Sequence, residues 1–417
     1  MTFSGDDAYN PSVMSTRFRW IGLVCGLAVG SVFAAAETKS QDAPEPPPGY
    51  KSKLEIMAAF GNGKLAIIDR DVPLPDGVVL ERDIEYGNAG GHSLQLDLYR
   101  PAKITRPVPA LLFIHGGAWK SGKRQDYHFY TAAYAKKGYV VATATYRLTG
   151  QAPFPAAVQD CKCAVRWLRA NAKKYKIDPG KIAVIGGSAG GHLSMMLGYS
   201  DDPELEGNSG HRGISSRVSA VVNIYGVYDM TTQVAKDSET VSNFLQGKSF
   251  EEAPGLYRQS SPRFHLDKAD PPTLILHGTI DETVLISQSD ALAAHLKRLN
   301  IPHVYGRLDG WPHTMDIAKP VNDYCQSMMD RFFATPLPLP GKNIDPRHLQ
   351  TGVDPLDHPS CEPEDAGQLL REGHCWTGTG CARLFGIGHR GSPDAGVRGG
   401  GMAGGCLGPA LGGPHVA

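Results

Sequence analysis

Short apolar runs recur along the middle of the chain, and the spacing between them changes part-way. Strand-like runs rich in Val, Ile, Leu and Tyr occupy residues 80–86, 94–99, 110–114, 140–145, 182–185, 220–225, 273–276 and 304–308. Several are apolar without a break, as strands buried on both faces are. Helical patterns, with apolar positions three and four apart, occupy 127–137, 154–174, 189–199, 286–299 and 321–333. The first two strands have no helix between them, whereas the later ones alternate with helices. That order predicts an α/β fold: a mostly parallel eight-stranded sheet with helices on both faces and an antiparallel start. A further helix is predicted over 54–69, at the domain edge. Residues 226–269 break into polar, irregular sequence with one helix near 241–245. So long an excursion between core strands reads as a small cap. A second, more polar excursion at 200–216 reads as a solvated surface loop.

The chemistry sits where apolar runs end. After the run 182–185 comes Gly186-Gly187-Ser188-Ala189-Gly190, and then a helical pattern. A strand, a Gly-x-Ser-x-Gly turn and a helix together make a nucleophile elbow. The turn leaves Ser188 exposed at a helix N-terminus, which favours developing negative charge. Upstream, the run 110–114 ends in His115-Gly116-Gly117-Ala118-Trp119. Such a loop aims backbone N–H groups at an oxyanion, and the expected donors are those of Gly117, Ala118 and Ala189. His115 reads as a brace for this loop. An acid and then a histidine should follow the serine in chain order. Asp281 comes after the run 273–276, and His313 after the run 304–308, both on loops at strand ends. Glu282 and Asp309 are rival acids; His277 and His192 are rival bases. His277 lies close to its strand and reads as a turn-packing residue. Asp309 and Asp316 read more simply as solvated loop charges.

The set His115-Gly116-Gly117-Ala118-Trp119, Tyr146-Arg147-Leu148, Gly187-Ser188-Ala189-Gly190-Gly191-His192, Leu276-His277-Gly278-Thr279-x-Asp281 and Gly310-x-x-His313 resembles the serine carboxylesterases of the α/β-hydrolase superfamily. It is most similar to the hormone-sensitive-lipase-like branch and, within it, to feruloyl/acetyl-xylan esterase-like (BD-FAE-like) enzymes. The resemblance covers residues 79–333. It implies the α/β-hydrolase fold, a Ser188–His313–Asp281 triad, no cofactor, and a small-molecule or polysaccharide-linked ester as substrate. Formamidases share His-Gly-Gly-x-Trp, so amide chemistry is the alternative activity. Peptidase-like relatives typically place tyrosine where this chain has Ala189. A catalytically inactive binding protein would have no need of a complete triad. Two departures stand beside the site: Leu285 follows Val284 where relatives often have proline, and Trp311-Pro312 directly precedes His313. Read as substrate contacts, Trp119 and Trp311 would narrow one end of the site and favour short acyl groups.

Composition adds boundaries rather than chemistry. Among 417 residues the acidic and basic side chains balance at 42 each, so nothing argues for nucleic acid or an anionic membrane surface. Arg17 and Arg19 precede the apolar run 20–34, and Ala34-Ala35-Ala36 follows, the order of a secretory signal peptide. Residues 1–36 are therefore expected to be a cleaved signal, with a start at Met14 giving the conventional form. The expected location is secreted or periplasmic, with no stable membrane association after cleavage; an uncleaved anchor is the alternative. Residues 37–53 read as a proline-rich, extended and mobile linker, and 54–336 as the catalytic domain, with 226–269 capping its site. Residues 337–417 read as a low-complexity tail: from 373 on, one residue in three is glycine, without the collagen period. Cys361, Cys375, Cys381 and Cys406 match no zinc spacing. Cys161 and Cys163, two apart on a helix, read as packed thiols rather than a bridge, and no metal site is expected.

Overall fold

The computed structural model describes residues 44–341. The expected signal peptide, most of the linker's first half, and the tail with its four cysteines lie outside the described residues. Eight strands form one sheet: β1 (Val78–Ala89), β2 (His92–Pro101), β3 (Val108–Ile114), β4 (Val140–Ala144), β5 (Ile177–Gly187), β6 (Ala220–Ile224), β7 (Thr273–Gly278) and β8 (His303–Leu308). Their spatial order is β1-β2-β4-β3-β5-β6-β7-β8. The pairs β1–β2 and β2–β4 are antiparallel, and every later pair is parallel. The predicted sheet is therefore the observed one, because a tight turn joins β1 to β2 while helical crossovers join the parallel strands.

Among the described residues six helices of nine residues or more flank the sheet: α1 (Lys53–Gly61), α2 (His128–Lys137), α3 (Ala156–Ala170), α4 (Ala189–Tyr199), α5 (Ser287–Arg298) and α6 (Lys319–Phe333). Successive side chains of β3 explain why both faces need cover. Ala110, Leu112 and Ile114 join the core beneath α3, α4 and α5, whereas Leu111 and Phe113 join the core beneath α1, α2 and α6. A period of two inside a continuous apolar run sends alternate side chains into two cores.

Five expectations change. The first helix ends at Gly61 rather than running to residue 69, because Asn62 caps it and Gly63 turns left-handed at φ 73°. Residues 226–269 hold three short helices (Gln233–Lys236, Glu239–Phe244 and Pro254–Gln259), not one. The excursion at 200–216 is only partly solvated: the buried cations Lys162 and Arg166 of α3 both bind Glu206, and Leu205 is buried. The described part of the proline-rich segment is not free either. Tyr50 N–H donates to Gly310 O at 3.0 Å, and Trp311 Nε1 donates to Pro47 O at 3.0 Å. At the other end Leu337 is buried, with its N–H on Phe333 O, so the packed domain extends past residue 336. Cys161 and Cys163 are buried free thiols.

Candidate active site

The parallel strands deliver their following loops to one edge of the sheet, and four of those loops meet there. Ser188 follows β5 with φ 57° and ψ −121°, a strained backbone for a non-glycine residue. Its N–H is tied to Ile224 O at the end of β6 (2.9 Å). The turn closes only because its flanks lack side chains. A Cβ on Gly190 would stand 2.0 Å from Ile114 O, and one on Gly186 would stand 2.3 Å from Gly190 C. The neighbouring loop after β3 presses on this elbow: a Cβ on Gly116 would lie 2.8 Å from Gly187 O and 3.4 Å from Ser188 Cβ.

That loop carries Gly117, Ala118 and Trp119 at positive φ (108°, 54° and 56°) and is closed by Lys120 and Ser121 N–H groups on Gly117 O. Ala189 opens α4, where a first-turn N–H has no partner within the helix. Of the three residues expected to form an oxyanion hole, Ala189 directly follows Ser188, and Gly117 and Ala118 directly follow Gly116, which packs on the elbow. His115 braces the loop as expected. It is buried, stacks on Tyr146 at 4.3 Å and contacts Gly116 O through Nδ1 at 2.8 Å. Burial lowers its pKa from the ordinary histidine value.

His313, on the loop after β8, reaches Ser188 Oγ with Nε2 at 2.9 Å and Asp281 Oδ2 with Nδ1 at 2.6 Å. Asp281 lies on the loop after β7, and its Oδ1 accepts the N–H groups of Thr283 (2.8 Å) and Val284 (2.9 Å). Burial alone would raise the Asp281 carboxyl. The hydrogen bonds and charge of His277 and His313 outweigh burial and hold it well below the usual carboxylate range. The rival acids stand elsewhere: Glu282 points outward to Lys53, and Asp309 accepts from Thr279 at the surface.

Both tryptophans depart from the role read for them. Trp119 is buried, stacked on Phe244 at 4.4 Å, with its indole N–H on His192 Nδ1. Trp311 is buried on the far side, edge-on to Tyr50 at 5.6 Å and bonded to Pro47. Both are packing side chains that hold their loops, because two large rings beside tight turns find apolar cover from segments distant in the chain. His192 lies away from the serine, between Trp119 and Ser260 O (2.7 Å).

Two further groups matter that the sequence reading set aside. His277, read as turn packing, is buried with Nε2 3.0 Å from Asp281 Oδ2. Asp316, read as a solvated charge, is buried and accepts from Tyr225 OH, whose ring stands 4.7 Å from that of His313. Burial pushes the Asp316 carboxyl up, and the Tyr225 bond offsets this only in part. The available signal for His277 was a polar residue closing a fully apolar strand four positions before the acid. Among the described residues no group of three His, Cys, Asp or Glu side chains is placed to hold a metal, and no helix is long and apolar enough to cross a membrane.

Comparison with known proteins adds to this geometry. Residues 96–296 match the BD-FAE family. Over 247 residues the chain is 32% identical to Esterase LipQ of Mycobacterium tuberculosis, covering 57% of this chain and 58% of the relative, so it spans a little over half of that relative's length. Among solved structures, a truncated carbohydrate esterase from gut microbiota superposes with a TM-score of 0.54 at 27% identity, covering 62% of this chain and 98% of that one. The butyrate-bound esterase Est2 of Thermogutta terrifontis superposes with a TM-score of 0.56 at 26% identity, covering 64% and 97%.

Proposed function

We propose that this chain, whose residues 96–296 match the BD-FAE family and whose fold is that of solved esterases, is a serine carboxylester hydrolase working through an acyl-enzyme. The observation that carries the reading is the unbroken chain Ser188 Oγ–His313–Asp281, at 2.9 and 2.6 Å, beside the loop at 116–119. His313 Nε2 takes the proton as Ser188 Oγ attacks the ester carbonyl. The N–H groups of Gly117, Ala118 and Ala189 receive the oxyanion. His313 returns the proton to the leaving alcohol, and water, activated by the same imidazole, releases the acid. Asp281 holds His313 in the tautomer this cycle needs and stabilises its cationic form.

The proposed substrates are short-chain or aromatic acyl esters, including those carried on plant polysaccharide. Support comes from the carbohydrate esterase and the butyrate-bound esterase among the structural relatives. The segment 226–269 supplies a further argument. Met230, Val241, Phe244, Leu245 and Tyr257 are buried, and among its large apolar side chains only Val234 and Phe264 are exposed. That leaves no apolar strip on which a long acyl chain could lie. The segment touches the site's surroundings through Phe244 on Trp119 and Ser260 on His192, which supports its reading as a cap. Export rests on the Arg17-to-Ala36 pattern and is proposed with the same substrates in view.

The test is a panel of p-nitrophenyl esters of rising acyl length, methyl ferulate, acetyl-xylan and an anilide. Acetyl and butyryl esters should be cleaved fastest, and Ser188→Ala should lose about 10⁴-fold or more in kcat while keeping its thermal melt. A rate maximum at the longest acyl chain, or a preference for the anilide, would overturn the substrate reading. Ester turnover by Ser188→Ala would overturn the mechanism.

A further inference from the structure

We propose that His277 is a positioning residue for this reaction: its imidazole donates from Nε2 to the Asp281 carboxylate and shares with His313 the oxygen that steers the triad. The proposal rests on the serine-esterase reading and deepens it. His277 is fully buried at the end of β7, and its ring is placed by three elements. Nε2 lies 3.0 Å from Asp281 Oδ2 and 2.9 Å from the carbonyl oxygen of Val284. A carbonyl oxygen only accepts, and so does an ionised carboxylate. A lone pair on Nε2 would face both, so Nε2 carries the proton. Nδ1 is engaged by the hydroxyl of Ser289, on α5, at 2.7 Å. Both ring nitrogens are thereby engaged, and Nε2 is the one that must carry a proton.

The consequence falls on Asp281. One carboxylate oxygen is fixed by the backbone of its own loop (Thr283 and Val284 N–H). The other receives two imidazoles, His313 at 2.6 Å and His277 at 3.0 Å. His277 therefore fixes the direction in which that oxygen meets His313. It also withdraws charge from the oxygen, so Asp281 holds a proton on His313 less tightly than it would alone. The other groups around His313 are Ser188, the ring of Tyr225 and, through the Tyr225 hydroxyl, Asp316, with Arg70 acting on Asp316 electrostatically. Glu282 faces away, toward Lys53. Besides Asp281 and Ser289, the titratable neighbour of His277 is Tyr225, whose ring centroid is 6.4 Å away.

Two measurements test this. The first uses the unaltered protein, labelled with ¹⁵N-histidine and followed between about pH 5 and 9, where imidazoles titrate. His277 should carry a proton on Nε2 throughout; a ring protonated on Nδ1 alone would overturn the proposal whatever the activity. The second compares His277→Leu, which removes the donor, with His277→Gln, whose amide places an N–H near the lost Nε2. In His277→Leu, kcat should fall roughly 10-fold with KM within about twofold, as loss of orientation alone predicts. The acid limb of its kcat/KM profile should rise by about 0.5–1 pH unit. His277→Gln should return that limb to within about 0.2 unit and recover most of kcat. A wild-type limb in folded His277→Leu, or equal shifts in both variants, would overturn the proposal. If neither variant folds, the wild-type tautomer decides. Absence of ester hydrolysis by the wild type would refute the esterase reading and leave the tautomer result standing, so the two failures are distinguishable.

Discussion

Asp281 takes four hydrogen bonds on two oxygens, and among the described residues no other acidic side chain bonds His313. Two of the donors are backbone N–H groups of the loop that carries it, so the carboxylate is oriented before His313 arrives. Asp281→Asn replaces an acceptor by a group that can donate, and it favours the wrong tautomer of His313. The expected loss in kcat is about 10⁴-fold, the scale seen when a triad aspartate becomes asparagine. Glu282→Gln and Asp309→Asn should stay within about threefold of wild type, since surface substitutions away from the chemistry change little. Steady-state kinetics on one aryl acetate ranks the three; a larger loss in Asp309→Asn would reassign the acid. Trp119 and Trp311 carry a different lesson at this scale. Each is a ring beside a functional turn, and each spends its N–H on a structural partner instead of a substrate.

The histidine loop is an element whose position depends on a segment far from it in sequence. Between β8 and His313 the chain runs through Asp309, Gly310 and Trp311, and all three lie against residues 47–50. The approach is close enough that a Cβ on Gly49 would stand 1.9 Å from Asp309 O. Gly49→Ala should therefore force the segment off the loop. The cost should be about 1–3 kcal/mol, the usual penalty for an overpacked site. The melt should fall by about 2–4 °C for each kcal/mol. His313 would lose part of its alignment, so kcat should drop about fivefold or more with KM nearly unchanged. Gly61→Ala is the matched control: nothing lies within 4 Å of the added carbon at the end of α1, and it should melt and turn over like wild type. Equal behaviour of the two variants would show that the segment does not position the loop.

For the molecule as a whole, His192 joins three parts: α4, which carries it, the loop of Trp119 and the segment of Ser260. It accepts from the indole and donates to the carbonyl, so only the neutral ring fits. Burial pushes its pKa down to about 4. The unfolded ring titrates near the ordinary value of about 6.5. Between those values the unfolded chain binds a proton that the folded one refuses, so this contribution to stability is full above about pH 6.5 and is lost as pH falls toward about 4. The span corresponds to about 3 kcal/mol at most, by linkage. Asp270, whose burial pushes its carboxyl up to about 7, works in the opposite sense over the same range. The melt of the wild type alone therefore mixes the two. His192→Gln, which can accept and donate in the same places without titrating, isolates the effect. Its melt should fall less steeply than wild type between about pH 6.5 and 4, and parallel curves would remove His192 from that role.

What the sequence by itself determined was whatever a short window encodes. All eight strands and their direction follow from short β-rich runs, several of them unbroken, and from where helical patterns stand between them. The residues of the elbow, the Gly117-Ala118 loop, the acid and the histidine were readable because each sits within a few positions of a strand end. What only the tertiary structure decided was which distant surfaces cover one another. Pro47 meets Trp311 across 264 positions, Trp119 meets His192 across 73, and Tyr225 meets Asp316 across 91. Hydrophobic periodicity states which face of an element is buried and leaves open what buries it. For that reason two tryptophans read as substrate contacts are packing, a proline segment read as mobile is docked, and Asp316 read as solvated is buried. The same reason applies to His277. Its place in the chain marks the end of a strand, and only the fold of the acid loop back over β7 brings Asp281 onto its Nε2.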